Sequence, residues 1–196
     1  TLATALPGLP DAPAEALWAL RTQEPAQRAA IQVILDRALD PLAGLATYPD
    51  DALFTSEEQA ILQLLDAEPA APSPPPRGAV TGIVKVTRHC NLRCTYCHDW
   101  RVGRDAAMPF EVLARAMKWL CGSGARTVNV VLHGGEPSLI GPTGMIRLLA
   151  LQARYRTAGA RVVTRMQTNG ARLTDDMIDA LLRFGVRASV SLDGPP

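Results

Sequence analysis

Residues 80–97 have the sequence VTGIVKVTRHCNLRCTYC, in which an apolar run leads into a loop carrying Cys90, Cys94 and Cys97. The run from Val80 to Thr87 is rich in β-branched residues and predicts a strand. Three cysteines this close together make a poor disulfide framework for a chain of this size but a good cradle for a metal. We therefore expect a strand that delivers a loop of free thiols.

Downstream of this loop, strand patterns alternate with helical patterns. Further strands are predicted at Thr127–Leu132, Arg161–Met166 and Val186–Leu192, and helices after Pro109, across Met145–Thr157 and after Thr174. This spacing predicts an α/β fold with parallel strands and right-handed crossovers. The polar clusters of this region come directly after strands, which is the catalytic side of β/α barrels.

The N-terminal third has a different composition. Residues 68–78, EPAAPSPPPRG, predict an extended polyproline linker. Before them, helical spacing is found at Pro13–Leu20, Pro25–Leu39 and Ser56–Leu65, the last with a capping box of Thr55 and Glu58. We expect a helical extension at 1–67, a linker at 68–79 and a core at 80–196. The extension either packs on the core or holds a partner.

The overall composition excludes several classes of protein. The 196 residues contain 20 Lys plus Arg and 19 Asp plus Glu, a net charge of +1, with 47% hydrophobic residues. This balance gives no electrostatic footprint for nucleic acid or an anionic membrane. No apolar run reaches the ~18 residues of a membrane span, and Thr1–Pro10 lacks the blocks of a signal peptide. We expect a cytoplasmic protein with neither nucleic-acid nor membrane partners.

The cysteine loop is compatible with two kinds of metal site. An iron–sulfur cluster normally takes four cysteines, so three leave one iron open to bind another molecule. The alternative is a Cys3His zinc site completed by His98 or His89. Cys121 stands apart at the end of a predicted amphipathic helix, where we expect a small buried hydrophobe.

Three further polar clusters follow the later strands. They are HGGEP at 133–137, QTNG at 167–170 and SLDGP at 191–195. Glycines permit close approach to the backbone, and the Glu136 carboxylate can accept hydrogen bonds from an ammonium group. Each cluster alone is explained by a turn. Their shared position after successive strands, behind a three-cysteine loop, is what indicates a site.

Together these motifs resemble the radical S-adenosylmethionine (SAM) superfamily. CNLRCTYC matches its CxxxCxΦC signature, in which Φ is aromatic, and HGGEP resembles its Gly-Gly-Glu motif. QTNG and SLDGPP resemble signatures of the branch that contains anaerobic sulfatase-maturing enzymes and SPASM-domain peptide maturases. The resemblance covers about residues 80–196.

The resemblance implies the first four strand units of a partial (β/α)6 barrel, with the remaining barrel and a SPASM domain beyond Pro196. It also implies two cofactors, a 4Fe–4S cluster and SAM. The cluster ligands would be Cys90, Cys94 and Cys97. The SAM contacts would be Tyr96 near the adenine, Gly134, Gly135 and Glu136 at the methionyl ammonium, Ser191 at the ribose, and Gln167, Thr168 and Asn169 near the reacting carbon.

The implied activity is reductive cleavage of SAM to a 5′-deoxyadenosyl radical that abstracts hydrogen from a precursor peptide, giving a crosslink or another oxidative modification. An electron donor such as flavodoxin or ferredoxin is implied as well. Two alternatives stand beside it: a sulfatase maturase that oxidises Cys or Ser, and a zinc-binding or inactive cluster-binding interaction module. His133 occupies a position where sulfatase-maturing members carry Gln.

Overall fold

The computed structural model describes residues 40, 42–69, 78–100 and 106–193. Its helices are α1 (Asp50–Leu53), α2 (Ser56–Ala67), α3 (Phe110–Cys121), α4 (Gly141–Tyr155) and α5 (Asp175–Arg183), with 3-10 turns at Leu45–Thr47 and Pro137–Ile140. Its strands are β1 (Ala79–Thr87), β2 (Thr127–Gly134), β3 (Arg161–Thr168) and β4 (Arg187–Val190). The predicted helices Pro13–Leu20 and Pro25–Leu39, and most of the Pro-rich linker, lie outside the described residues.

The described strands form one parallel four-stranded sheet in the order β1-β2-β3-β4. Each strand pairs with the next one along the chain, so every crossover carries a helix back over the sheet. The α/β class and the parallel arrangement are therefore confirmed. Strands β2 and β3 run two residues further than the sequence pattern predicts, to Gly134 and Thr168, because polar residues continue the ladder there.

One face of the sheet forms the core. Val84, Val130 and Met166 are at most 5% accessible and alternate with more accessible neighbours, because successive side chains of a strand point to opposite faces. Their face is covered by α3 and α4, and the hydrophobic cluster continues into both helices. The opposite face carries no helix within the described ranges, and Ile83 on β1 is 68% exposed.

Local sequence signals explain the helix ends. The Thr174 hydroxyl accepts from the backbone N–H of Met177 at 3.3 Å and caps α5, as predicted. Helix α4 begins at Gly141, earlier than the predicted Met145, because the 3-10 turn at Pro137–Ile140 feeds directly into it. Gly141 makes this junction with a φ of 73°, which glycine adopts without strain.

The segment before β1 packs on the helical layer. The predicted capping box of α2 is present, with Glu58 N donating to Thr55 Oγ1 at 3.3 Å and Thr55 N to Glu58 Oε2 at 2.9 Å. Leu62 and Leu65 of α2 are 0% and 1% accessible and join the core cluster. Among the described helices, none is long and apolar enough to cross a membrane.

Ion pairs surround this apolar contact. In each, an acidic side chain from the segment before β1 meets a basic side chain from α3, α4 or the residue after α4. The pairs are Asp40–Arg156, Asp50–Arg154, Asp66–Arg154, Glu58–Arg147, Glu68–Arg115 and Glu68–Lys118. The described part of the extension is therefore attached to the core by apolar burial and by complementary charge.

Candidate active site

The polar segments that follow β1, β2, β3 and β4 meet at the carboxyl ends of the strands. Parallel strands place these ends on one edge of a sheet, where α/β proteins bind ligands. We call this edge the rim and define it by residues 87–100, 133–138, 167–171 and 190–193. Hydrogen bonds link these segments to one another.

Gly134 and Gly135 hold the cysteine loop against β2. The Gly135 N–H donates to the Thr87 carbonyl at 2.8 Å, and the Glu136 N–H to the His89 carbonyl at 2.7 Å. A Cβ on Gly135 would stand well under 3.0 Å from the carbonyl oxygens of Arg88 and His89. The close approach that these glycines permit is therefore to the backbone leading into Cys90. Their direct contact with SAM stays a prediction.

Glu136 is the most buried charged group of the rim. It is 1% accessible, and its Oε1 accepts from Thr168 Oγ1 at 2.7 Å and from Ser138 N at 3.0 Å. Its Oε2 accepts from Asn169 N at 2.7 Å. These donors satisfy a carboxylate whose burial without partners would be costly. Glu136 thus ties the end of β2 to the end of β3, and its role toward an ammonium group stays a prediction.

Asn169 connects β3 to the cysteine loop. Its Nδ2 donates to Asn91 Oδ1 at 2.7 Å and lies 3.6 Å from Cys90 Sγ. Its Oδ1 accepts from Ala171 N at 2.9 Å, which is the Asx turn that QTNG predicts. Asn91 was missed by the sequence reasoning, although it lies inside the cysteine motif. The only available signal was its position beside Cys90.

The three thiols lie in one short loop, but they do not converge on a single point. The Cys97 N–H donates to the Cys94 carbonyl at 3.1 Å in a tight turn, and all of Cys90, Cys94 and Cys97 are half-buried. In the described ranges, no group of three His, Cys, Asp or Glu side chains is already arranged to hold a metal ion. Cys121 is fully buried, as predicted, and burial raises the pKa of its thiol to about 12.

Charged side chains anchor the far end of the loop. Asp99 forms ion pairs with Lys85 at 3.0 Å and with Arg88 at 3.5 Å, which returns the loop to β1. The Arg93 guanidinium lies 4.7 Å from the ring centroid of Trp100 and donates to the Cys90 carbonyl. The loop is therefore fixed on both sides of its cysteines.

Tyr96 links the loop to the segment after β4. Its hydroxyl donates to Asp193 Oδ2, and this bond, with a smaller effect of Cys94, raises the pKa of Tyr96. Beside it, Gln167 Nε2 donates to Ser191 Oγ at 2.7 Å and joins the ends of β3 and β4. Asp193 is a second rim residue whose contact the sequence did not indicate, because nothing in the motif predicts its hydrogen bond with Tyr96. Its signal was its place in SLDGP.

His133 lies on the same edge with its ring exposed. Its Nδ1 accepts from the backbone N–H of Gly134 at 2.8 Å, which fixes the ring against its own strand end. A cavity of about 660 Å³ lies behind Cys90, between β1 and the helices α3 and α4, with Glu58 and Arg147 at its edge. Its lining is mainly apolar and includes none of the polar groups after β2, β3 and β4.

The donor chemistry of the rim fits an iron–sulfur cluster with one open iron. Three half-buried thiols lie in one short loop, and the Asn169 amide next to Cys90 Sγ can donate to a thiolate. The family model described as "Radical SAM superfamily" matches residues 84–196. The chain belongs to the radical SAM superfamily. This membership implies a 4Fe–4S cluster and SAM as cofactors, as expected from the motifs.

This radical SAM chain is similar to sulfatase-maturating enzymes and to a GTP cyclase. It is 34% identical over 109 residues to the serine-type anaerobic sulfatase-maturating enzyme of Klebsiella aerogenes, covering 54% of this chain and 27% of that protein. It is 38% identical over 120 residues to the GTP 3′,8-cyclase of Caulobacter vibrioides, covering 59% and 33%. The solved structure of native anSMEcpe with bound AdoMet and Kp18Cys peptide has a TM-score of 0.55 and 27% identity over 60% of this chain and 33% of that chain.

These matches cover only part of each relative. The radical SAM chain spans about a third of their lengths or less, 27% of the Klebsiella enzyme and 33% of the Caulobacter enzyme. The portion that the family model matches, residues 84–196, contains the cysteine loop and the strand ends described above. The expected partial radical SAM barrel and the resemblance to the sulfatase-maturing branch are confirmed.

Proposed function

We propose that this chain is the cofactor-binding part of a radical SAM enzyme that modifies a ribosomally made precursor peptide, forming a crosslink or another oxidised side chain. The observation that carries the proposal is the hydrogen-bonded chain from the cysteine loop through Asn169 to Glu136. It couples a three-thiol loop to polar groups suited to a zwitterionic ligand. The solved relative with a bound peptide supports the substrate class.

In this proposal, Cys90, Cys94 and Cys97 hold the cluster. When bound, the reduced cluster and SAM together supply a 5′-deoxyadenosyl radical that abstracts hydrogen from the substrate. The SAM contacts are assigned to Tyr96, Gly134, Gly135, Glu136, Gln167, Thr168, Asn169 and Ser191. Their donors and acceptors are already oriented by one another, so binding needs little reorganisation of the rim.

The protein groups have separate tasks in this scheme. The Asn169 amide, 3.6 Å from Cys90 Sγ, donates toward the thiolate that ligates iron. The Glu136 carboxylate fixes the backbone of Asn169 and supplies negative charge near the ligand ammonium. The Gln167–Ser191 pair, exposed at the rim, exchanges its mutual bond for bonds to the ribose. The rim thereby orients the cofactor.

The wider setting follows from the same proposal. An electron donor of the flavodoxin or ferredoxin type reduces the cluster, and the enzyme works in the cytoplasm without nucleic-acid or membrane partners. A SPASM domain and the remaining barrel complete the enzyme. The helical segment before β1, the linker at 68–79 and the core from residue 80 form the front part of that larger molecule.

A second candidate is maturation of a sulfatase by oxidation of an active-site Cys or Ser. The similarity to serine-type and cysteine-type sulfatase-maturating enzymes favours it. His133, where sulfatase-maturing members carry Gln, argues for a different substrate. The interaction-module alternatives predict either a zinc-loaded protein or a cluster without turnover.

The test is anaerobic reconstitution of the full-length protein. We expect iron and sulfide with little zinc, and release of 5′-deoxyadenosine when SAM and a reductant are added. Cys94→Ala should abolish that release, whereas Cys121→Ala, matched in chemistry but outside the rim, should retain it. Stoichiometric zinc without iron would overturn the proposal, and a cluster without SAM cleavage would favour the inactive module.

Substrate class is tested with the same preparation. Co-expression with a sulfatase, followed by mass measurement of its active-site residue, reports on sulfatase maturation. Co-expression with a short peptide encoded next to the gene reports on peptide modification, seen as loss of hydrogen mass. Formylglycine in the sulfatase with an unchanged peptide would replace the first proposal by the second.

A further inference from the structure

The sheet face opposite the helices carries positive charge and, over the four described strands, no Asp or Glu. Strand alternation assigns this face, because Val84, Val130 and Met166 point into the helical core and their neighbours point away. We call it the open face. Its cationic residues are Lys85 on β1, Arg161 and Arg165 on β3, and Arg187 on β4.

Arg165 and Arg187 are register partners on adjacent parallel strands. Neighbouring strands lie roughly 4.8 Å apart, so two guanidinium groups start from directly adjacent positions on one face. Like charges placed opposite each other destabilise a sheet. The pair therefore costs folding free energy unless an anion binds between the two groups.

The described residues supply no such anion. Arg165 Nη1 reaches only the neutral amide oxygen Oδ1 of Asn129 on β2, at 3.4 Å, and Arg187 is exposed. Among the ion pairs of the described ranges, neither arginine takes part. Lys85, by contrast, is neutralised by Asp99 at 3.0 Å. The arginine pair is thus available to a ligand.

Open space adjoins Arg187, the exposed member of the pair, whereas Arg165 is not among the residues that line it. A cavity of about 610 Å³ at the amino ends of β3 and β4 is lined by Arg161, Val163 and Arg187, with the Arg156–Asp40 ion pair at its edge. Arg165 and Arg187 belong to a row of register partners that crosses the sheet. In this row, the residues on β1 and β2 are the apolar Ile83 and Val131. The row therefore offers a cationic half beside an apolar half.

The row lies below the rim. Gln167 on β3 comes two residues after Arg165 on the same face, so the arginine pair is roughly 7 Å deeper along the strand than the Gln167–Ser191 pair. A molecule seated there would be adjacent to the cofactor site without replacing it.

We propose that Arg165 and Arg187 bind an Asp or Glu side-chain carboxylate of the substrate peptide and so select acidic sequence next to the modified residue. The proposal rests on the proposed function. Guanidinium groups recognise carboxylates through paired charge-assisted hydrogen bonds. Ile83 and Val131 then contact an apolar neighbour of the acidic residue.

The test uses a peptide array in which every sequence is present in a Glu form and a Gln form. The full-length reconstituted protein is applied with SAM, and the ratio of binding to the two forms is read for each pair. We expect the best wild-type binders to prefer Glu by about tenfold, which corresponds to about 1.4 kcal/mol, because Gln cannot form charge-assisted hydrogen bonds with the guanidinium groups. Arg165→Gln and Arg187→Gln should reduce this ratio to below about twofold.

Arg115→Gln on α3 is the matched control, because it removes the same charge from the helical side, where Arg115 pairs with Glu68 and Glu111. It should keep the wild-type ratio. Thermal melting and iron content establish that each variant is folded and loaded. If the Arg165→Gln variant does not fold, the test is made with Arg187→Gln, because β4 is exposed.

Several results would overturn the assignment. A wild-type ratio near one, or an equal loss in Arg115→Gln, means that the pair does not read a carboxylate. GTP binding that depends on Arg165 and Arg187 assigns the pair to phosphate, and loss of SAM binding in equilibrium dialysis assigns it to the cofactor. Absence of SAM cleavage by the wild type would instead contradict the proposed function, which separates the two failures.

Discussion

Two regions of this molecule are held together by different physical means. One is the rim, and the other is the contact of α2 with α3 and α4, which we call the flank. At the rim, side chains and backbone groups of segments distant in sequence exchange hydrogen bonds, and Gly135 leaves no room for a Cβ. At the flank, α2 buries Leu62 and Leu65 against α3 and α4 and surrounds them with ion pairs.

This difference separates function from stability. Hydrogen bonds have narrow distance and angle preferences and so fix the positions of the groups they join, but each contributes a modest net free energy. Apolar burial contributes more free energy and tolerates small shifts. Changes at the rim should therefore disturb cofactor binding more than unfolding, and changes at the flank should do the reverse.

The sharpest break at the rim is Gly135→Ala. Its Cβ would press on the backbone carbonyls of Arg88 and His89, which cannot move without displacing Cys90. We expect loss of cluster loading and of SAM cleavage, measured as iron per chain and as 5′-deoxyadenosine. Gly78→Ala is the control, because the nearest atom to its Cβ is a side-chain nitrogen at 3.9 Å. Normal iron content in Gly135→Ala would contradict the packing argument.

The flank is tested by Leu62→Ala. Leu62 is 0% accessible, and removing such a side chain usually costs about 2–5 kcal/mol. We expect a loss of that size in the free energy of unfolding, while folded protein still binds its cluster. Leu64→Ala on the same helix is the control, since Leu64 is 71% exposed and should change stability little. Equal effects in both variants would mean that α2 is not seated as described.

Glu136→Gln tests whether the rim depends on charge at a buried site. The carboxylate accepts hydrogen bonds from Ser138 N, Thr168 Oγ1 and Asn169 N. In the Gln variant, the side-chain NH2 group would face one of these donors, and that hydrogen bond would be lost. We expect a destabilisation of about 1–3 kcal/mol and weaker SAM binding. The measurements are chemical denaturation and equilibrium dialysis. Glu111→Gln, an exposed helix position, should leave both unchanged, and an unaltered Glu136→Gln would remove the proposed link between β2 and β3.

Sequence patterns predicted the parts of this fold that depend on local physics. The strand alternation, the Thr55–Glu58 capping box and the burial of Cys121 follow from periodicity and side-chain chemistry within a few residues. Motif order also predicted that the polar clusters meet on one edge. In each case the determining contacts are local, or are fixed by the parallel βα repetition.

Contacts between segments were not predictable in the same way. Nothing in the sequence indicates that Asn169 reaches Asn91, or that Gly135 packs on the carbonyls before Cys90, because both depend on how β1, β2 and β3 are registered. The sequence predicted a close approach at the glycines, and the structure shows one to the backbone before Cys90, while their contact with SAM stays a prediction. The arginine pair on the open face likewise became visible only when register placed Arg165 beside Arg187.

The smallest expected effect comes from Arg154→Gln, which asks how much the ion pairs of the flank contribute. Arg154 meets Asp50 at 2.7 Å and also Asp66, and the Asp66 carboxylate raises the pKa of the guanidinium. These side chains are partly exposed, so solvent screens them and we expect a loss of about 1 kcal/mol or less. Added salt should shrink the difference between variant and wild type in chemical denaturation, because salt screens exposed pairs. SAM cleavage should be unchanged, since Arg154 is remote from the rim. A loss as large as that of Leu62→Ala that shrinks with added salt would mean that charge, rather than apolar burial, provides the stability of the flank.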